Sequence, residues 1–158
     1  MIGKSYDYIP FGNETYQYYY YFESEGDQGK IPKIVTFTLL PNGFWNLGFG
    51  DLQNGKVNDS VISNNYDIVK LIGTVAKIAY EFSDEFPRRG LEISPVDEKR
   101  KSLYNHVFRR HYETIHDKFL IIGISNNEEE LYSPKKNYDM FRLKRKFAQW
   151  KSQQEKNL

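Results

Sequence analysis

A strong hairpin signal in the N-terminal half of the chain most constrains its fold. Pro41-Asn42-Gly43 favours a tight turn, because proline presets one turn dihedral angle and Asn-Gly accepts positive φ. Before the turn, residues 34–39 read Ile-Val-Thr-Phe-Thr-Leu, the period-two pattern of a strand. After it, Phe44 to Leu52 is rich in aromatic residues, and its Gly48 and Gly50 indicate a bulge or a close backbone approach. We therefore predict two antiparallel strands joined at this turn.

A third strand is predicted ahead of the hairpin. Tyr16 to Ser24 (YQYYYYFES) is rich in aromatic residues of high strand propensity and shows no helical stripe. The cluster EGDQGK then turns the chain, so the three strands form an antiparallel meander. Alternation places half of the tyrosines toward the core. The tyrosines that point outward either stack on nucleic-acid bases or are explained by the high strand propensity of tyrosine alone.

The second half of the chain alternates helices and strands. Asp67 is a candidate N-cap for a helix with three-four apolar spacing that ends at Pro87. Leu91 to Ile93 is a short apolar strand, and a second helix begins near Asp97. Phe119 to Ile124 is a compact apolar strand. The order β-β-β-α-β-α-β predicts a single α+β domain with a mixed, mostly antiparallel sheet and two main helices.

The last part of the chain carries an excess of positive charge. Residues 133–158 hold eight Lys or Arg against two acidic residues, a net charge of +6 in a chain of net charge +1. Apolar residues recur there at helical spacing, at Met140, Leu143, Phe147 and Trp150. We therefore predict a core domain, residues 1–132, and a basic C-terminal helix or tail, residues 133–158. The tail either docks on its own acidic body or binds an acidic partner.

The composition of the chain indicates the cellular compartment in which we expect the protein. With no cysteine, the chain has no disulfide, thiolate metal site or cysteine nucleophile, which fits a reducing compartment. Its N-terminus, MIGKSYDYIP, lacks the apolar run of a signal peptide, and no segment reaches the roughly 18 apolar residues of a membrane helix. A length of 158 residues fits one domain. We expect a soluble, cytoplasmic protein.

Two groups of cations are the predicted binding residues for nucleic acid or an acidic protein. Lys/Arg side chains in a row neutralise phosphate charge, which is where nucleic-acid affinity begins. The alternative is a solvated helix face balanced by neighbouring carboxylates. One group lies on the second helix and the other in the tail: Lys99, Arg100, Arg109 and Arg110, then Arg142, Lys144, Arg145 and Lys146.

Signatures of catalysis are sparse. The chain has no nucleophile elbow, Walker loop or dinucleotide fingerprint. His106, His111 and His116 are spaced five apart, so they do not share a helix face, and we expect no metal. The spacing Arg-x5-His from Arg100 and from Arg110 resembles the motif of HEPN ribonucleases, which are all-helical proteins.

The catalytic candidates are Arg100 and Tyr104, near the turn before the second helix, and Asp51, across the sheet. A general acid and base pair needs two groups within reach of one substrate and with divergent pKa values. The alternative is that these polar side chains are solvated or cap helices.

The order of elements, a meander followed by a helix, a strand and a helix that carries Leu-Tyr, resembles the later part of the N-acetyltransferase (GNAT) superfamily fold. That superfamily holds acetyl-CoA with a glycine-rich turn before the first of these helices. Here the turn reads ISNNYDIVKLIGTVA and has no glycine at the start of the helix. The resemblance implies a GNAT-like topology, and we expect no cofactor.

The chain also resembles an uncharacterised family of short bacterial proteins, found mainly in Bacteroidota. The shared elements are FGDL (Phe49–Leu52), TVAKIAYEF (Thr74–Phe82) and RKSLY (Arg100–Tyr104). In that family a Gly-Ser-Thr-like turn and two arginines precede Leu-Tyr, whereas this chain has Pro95-Val96-Asp97 and Ser102 in place of the second arginine. The resemblance implies no established activity.

These observations favour a non-enzymatic binding or interaction protein that acts through its basic helix and tail. A role in a toxin-antitoxin or phage-defence module is the predicted setting. The alternative is a GNAT-like enzyme or a small nuclease.

Overall fold

The computed structural model describes residues 5–53, 56–58 and 67–146. Its N-terminal half is a run of antiparallel strands, each paired with the next: β1 (Tyr8–Glu14), β2 (Gln17–Gly26), β3 (Gly29–Leu39) and β4 (Trp45–Gln53). β2 to β4 confirm the predicted meander. The turn at Pro41-Asn42-Gly43 also has the predicted conformation, since Gly43 has a φ of 89°.

Two short additions to the meander were not predicted. β1 contains Pro10 and a register shift between Pro10 and Gly12, which breaks the strand signal in the sequence. It is an edge strand, where a proline costs no ladder hydrogen bond and a bulge discourages pairing with other chains. β5 (Lys56–Asn58) folds back on the end of β4.

The helices and the next strand follow the predicted order: α1 (Ile68–Glu85), β6 (Leu91–Ile93), α2 (Glu98–Arg110) and the short α3 (Tyr112–His116). Asp97 is the N-cap of α2, as predicted, because its side chain accepts a hydrogen bond from the backbone N–H of Arg100. Asp67 is the N-cap residue of α1, as predicted, but its side chain makes no capping hydrogen bond and accepts from the hydroxyls of Tyr6 and Ser24 instead.

The predicted C-terminal helix is wrong for residues 140–145, which form a strand. The chain continues from α3 through β7 (Phe119–Ser125), β8 (Glu128–Leu131) and β9 (Met140–Arg145). Phe141 and Leu143 are buried, at 0% and 4% exposure, and they alternate with the more exposed Arg142 and Lys144. This alternation is typical of a strand. Phe147 and Trp150, the other members of the predicted stripe, lie outside the described residues.

One mixed sheet organises the described residues, in the order β1-β2-β3-β4-β6-β9-β7-β8 with β5 on β4. The β4–β6 pair is parallel and the other strand pairs are antiparallel, which confirms the predicted fold class. β9 lies between β6 and β7, so the boundary predicted at residue 132 falls between two strands of the same sheet.

The helices cover one face of the sheet, and the core lies beneath them. Under α1, the Phe82 ring stacks on Phe37 at 3.9 Å between ring centroids. Under α2, Phe108 stacks on Phe141 at 4.0 Å. These two stacks fix each helix over its own half of the sheet.

The cap of α2 leads to a first prediction. Asp97→Ala removes the hydrogen bond to the backbone N–H of Arg100 and the ion pair to its guanidinium, 2.7 Å away. We expect the free energy of unfolding to fall by about 1–2 kcal/mol, measured by urea denaturation. Val96→Ala is the matched control, because Val96 is 70% exposed and next to the cap. Equal losses in the two variants would contradict the capping role.

Candidate ligand-binding cleft

An apolar cleft lies between α1 and α2 on the helix-covered face of the sheet. The two helices do not pack closely against each other, although each contacts α3. The space between them has a volume of about 130 Å³. Sixteen residues line it, and the Tyr104 hydroxyl is the one polar side-chain group among them: Leu47, Phe49, Ile68, Leu71, Ile72, Val75, Ala76, Ala79, Ile93, Leu103, Tyr104, Val107, Phe108, Ile115, Phe119 and Leu143.

The residues of α1 explain why this space is apolar and why it is open. Ile68, Ile72 and Val75 recur at three-four spacing and present one apolar stripe. Ala76 and Ala79 lie on the same wall and are too small to fill the distance to α2. A leucine at either position would occupy part of the space.

The floor of the cleft lies where two strands of the sheet part. β4 and β6 pair only at Trp45–Leu91 and Asn46–Glu92. β5 then pairs with the same edge of β4 from Asp51 onward. Between these points, residues 47–50 have no strand partner on that edge within the described part of the chain. The floor therefore contains a gap between the described strands of the sheet.

A buried ion pair adjoins the cleft beyond Phe49. Lys33 and Asp51 are cross-strand partners on β3 and β4, and their side chains form a salt bridge at 0% and 1% exposure. The Lys33 ammonium also lies 5.8 Å from the centroid of the Phe49 ring, which lines the cleft. Burying two charges is costly, so buried charges are kept paired.

A second polar group lies next to the N-terminus of α1. One oxygen of Asp67 accepts hydrogen bonds from the hydroxyls of Tyr6, at 2.6 Å, and of Ser24, at 2.5 Å. Burial and the neighbouring Asp67 carboxylate both raise the pKa of Tyr6, burial being the larger cause. The phenol is therefore a hydrogen-bond donor at neutral pH, and the group ties the N-terminal segment to α1.

The three predicted catalytic residues have different environments. Tyr104 lines the cleft, and Asp51 lies two residues beyond Phe49 in the ion pair with Lys33. Arg100 is 7% exposed and its guanidinium binds Asp97. The structure thus brings Tyr104 and Asp51 to the same region, whereas Arg100 serves the cap of α2.

The predicted binding cations do not form one surface. Leu143 lines the cleft, so its neighbour Lys144 points to the opposite face of the sheet from α2. Lys99, Arg110 and Lys144 are exposed, and no ion pair joins them to other described residues. The other five bind groups of the same chain: Arg100 to Asp97, Arg109 to Asn137, Arg142 to Glu92, Arg145 to Asp84 and Lys146 to the His116 carbonyl.

The histidines do not converge. His106 is exposed, while burial, reinforced by Arg110, lowers the pKa of His111. His116 stacks on Tyr112 at 4.8 Å between ring centroids. No group of three His, Asp or Glu side chains suited to a metal ion occurs in residues 5–53, 56–58 and 67–146.

Lys33 is the site residue that the sequence reasoning missed. Its signal was present, because the alternation Lys33, Val35, Phe37 places a lysine on the inward face of β3. A lysine side chain that points into the core needs an acidic side chain there to balance its charge. The register of the Pro41-Asn42-Gly43 hairpin places Asp51 directly opposite.

Comparison with known proteins gives a match to a protein family. The model of a family described as a family of unknown function, DUF6934, matches residues 4–146. Neither the curated proteins nor the solved structures give a significant match. Within the described residues, none of the helices combines the length and the apolar character needed to cross a bilayer.

Proposed function

We propose that this protein, which belongs to the family of unknown function DUF6934, is a binding protein whose ligand lies in the cleft between α1 and α2. The observation that carries the proposal is the lining of the cleft, in which fifteen of the sixteen side chains have no polar atom. Ligand sites are typically concave and apolar with few polar groups that fix orientation. The ligand is a small amphipathic molecule.

The size of the space defines the apolar part of the ligand. A dry cavity of about 150 Å³ is enough to bind benzene. The cleft is close to this size, at about 130 Å³, so we expect it to hold an aromatic ring or a short alkyl chain. Burial of such a group supplies roughly 25 cal/mol for each Å² of apolar surface removed from water.

The gap in the sheet defines the polar part. Ligands in sheet proteins often bind in the crevice beyond the carboxyl ends of parallel strands, and β4 and β6 part at such a place. The backbone edge of residues 47–50 offers N–H and C=O groups to a ligand that carries an amide. We expect an amide next to the apolar group to add affinity.

A thermal-shift series tests this proposal. Butylbenzene and N-butylbenzamide are expected to raise the Tm, the amide more than the hydrocarbon at equal concentration. A ligand at a hundred times its Kd stabilises by about 2.7 kcal/mol, which is roughly 5–10 °C for a chain of this size. If neither compound shifts the Tm at its solubility limit, the proposed site is wrong.

Filling the cleft is expected to abolish this response. Ala76→Phe places a ring in the space where the ligand's apolar group lies. Lys77→Phe is the matched control, because Lys77 is the exposed next residue of α1 and does not line the cleft. We expect Ala76→Phe to lose the Tm shift and Lys77→Phe to keep it. Equal ligand shifts in the two variants would place binding elsewhere.

A GNAT-like enzyme is the second candidate. It is supported by the order of the main elements, β2-β3-β4-α1-β6-α2-β7, to which the short β5 and α3 are additions. Acetyl-CoA belongs in the same thermal-shift series. If it neither raises the Tm nor binds by calorimetry, this candidate fails. The nuclease role stays a prediction.

Binding to nucleic acid or an acidic protein is a further proposal. It is supported by Lys99 and Arg110, which are exposed and eleven residues apart, so they share one face of α2. Salt-dependent retention on heparin tests it. The toxin-antitoxin or phage-defence setting stays a prediction.

A further inference from the structure

A second pocket lies at the opposite end of β4 from the Lys33–Asp51 pair. The turn between β1 and β2, the end of β3, the start of β4 and the C-terminus of α1 surround it. Its volume is about 480 Å³, within the range of about 300–1,000 Å³ typical of small-ligand sites. Four aromatic rings line it, those of Tyr16, Tyr18, Trp45 and Phe86.

Two of these rings belong to the rigid core, so this wall of the pocket is preformed. The ring centroids of Trp45 and Phe86 are 4.9 Å apart, and both rings contact Phe82, which is fully buried. Tyr18 packs against Trp45 edge to face at 5.6 Å. A ligand ring that packs here meets side chains that are already ordered, which lowers the entropy cost of binding.

Tyr16, which also lines the pocket, is held in an unfavourable backbone conformation. Its φ is 66°, a left-handed value that non-glycine residues rarely adopt and that asparagine or glycine would accept more easily. Its side chain is also 64% exposed, so core packing does not explain the tyrosine. Strained residues with exposed side chains point to a functional requirement for the side chain.

The polar groups of the pocket are of both signs. Arg89 lines one part and Glu14 another, and no ion pair of the described residues involves either of them. One nitrogen of Arg89 donates to the Gly43 carbonyl at 3.1 Å, which anchors the guanidinium at the hairpin. The indole Nε1 of Trp45 is buried and has no hydrogen-bond partner within the described part of the chain.

We propose that this pocket binds an aromatic amino acid or a ligand of the same chemistry, with one ring, one carboxylate and one ammonium group. The ring packs between Tyr16 and the wall formed by Trp45 and Phe86. Arg89 binds the carboxylate, since a guanidinium pairs strongly with it. Glu14 binds the ammonium group. The site is independent of the cleft between α1 and α2.

Three related compounds test the chemistry. L-phenylalanine carries the ring and both charges, 3-phenylpropionate lacks the ammonium group, and phenethylamine lacks the carboxylate. In ligand-observed NMR titrations we expect L-phenylalanine to bind at least tenfold more tightly than either analogue. If 3-phenylpropionate or phenethylamine equals it, or if L-phenylalanine does not bind, the proposal is wrong.

Variants locate the site. Arg89→Gln is expected to weaken L-phenylalanine binding at least tenfold, whereas Arg88→Gln, at the exposed residue next to it, leaves binding unchanged. Tyr16→Asn relieves the left-handed strain, so binding should be lost while the Tm is unchanged or rises by about 2 °C. Loss of binding in Arg88→Gln, or full binding in Tyr16→Asn, would overturn the assignment. Ala76→Phe is expected to bind L-phenylalanine normally, which separates this site from the cleft.

Discussion

Asp51→Ala is expected to lower the free energy of unfolding by about 3–5 kcal/mol, because it leaves the Lys33 ammonium buried without its counter-charge. Both side chains of the pair are buried, at 0% and 1% exposure. Water therefore cannot replace the lost carboxylate unless the structure opens. Urea denaturation of the variant and the parent protein measures the loss.

Two controls isolate the cost of the buried charge. In the double variant Lys33→Met with Asp51→Leu, both charges of this pair are removed together. We therefore expect the free energy of unfolding to return to within about 1 kcal/mol of the parent. Asp84→Ala removes the partner of Arg145, but its carboxylate is 71% exposed, and we expect a loss below about 1 kcal/mol. A double variant as unstable as Asp51→Ala would show that the loss comes from packing.

Phe82→Ala is expected to cost about 3–5 kcal/mol, the range for removing a fully buried aromatic side chain. Phe82 has 0% exposure and contacts four rings, Phe37, Tyr18, Trp45 and Phe86. Its loss leaves a cavity between α1 and the meander that the rigid strands cannot fill.

Phe86→Ala is the comparison for this variant. Phe86 belongs to the same ring cluster but is partly exposed, so water reaches the space that its ring leaves. We expect a clearly smaller fall in the urea midpoint than for Phe82→Ala, with an unchanged m-value in both. Losses of equal size would mean that the cluster responds as a unit and not through the buried volume of each ring.

Local signals explain which parts of the fold could be predicted. The meander follows from alternation and a tight turn, and α1 follows from three-four spacing and Pro87, all of which act between residues close in sequence. β9 has a short alternation of this kind, from Phe141 to Lys144, but the signal is ambiguous. Its apolar residues Met140 and Leu143 also fit a helix, and its strand pairing depends on β6, about fifty residues away.

The two candidate sites depend on tertiary structure, so the sequence could name only some of their residues. Tyr104 and Asp51 were predicted as reactive side chains, and both lie in or beside the cleft. The cleft itself arises because β4 and β6 part and because Ala76 is small, neither of which is a property of one local segment. Tyr16 could be recognised only from its backbone dihedral angle.

The position of β9 sets an order of assembly. Synthesis proceeds from the N-terminus, and β1 to β4 can pair as soon as they emerge, since each contacts its neighbour in sequence. β6 can then pair with β4, and β7 with β8, but these two groups of strands are joined only by β9, the last of the described strands to be made. Until β9 inserts between them, the facing edges of β6 and β7 stay unpaired, so completion of this sheet waits for the last of its described strands.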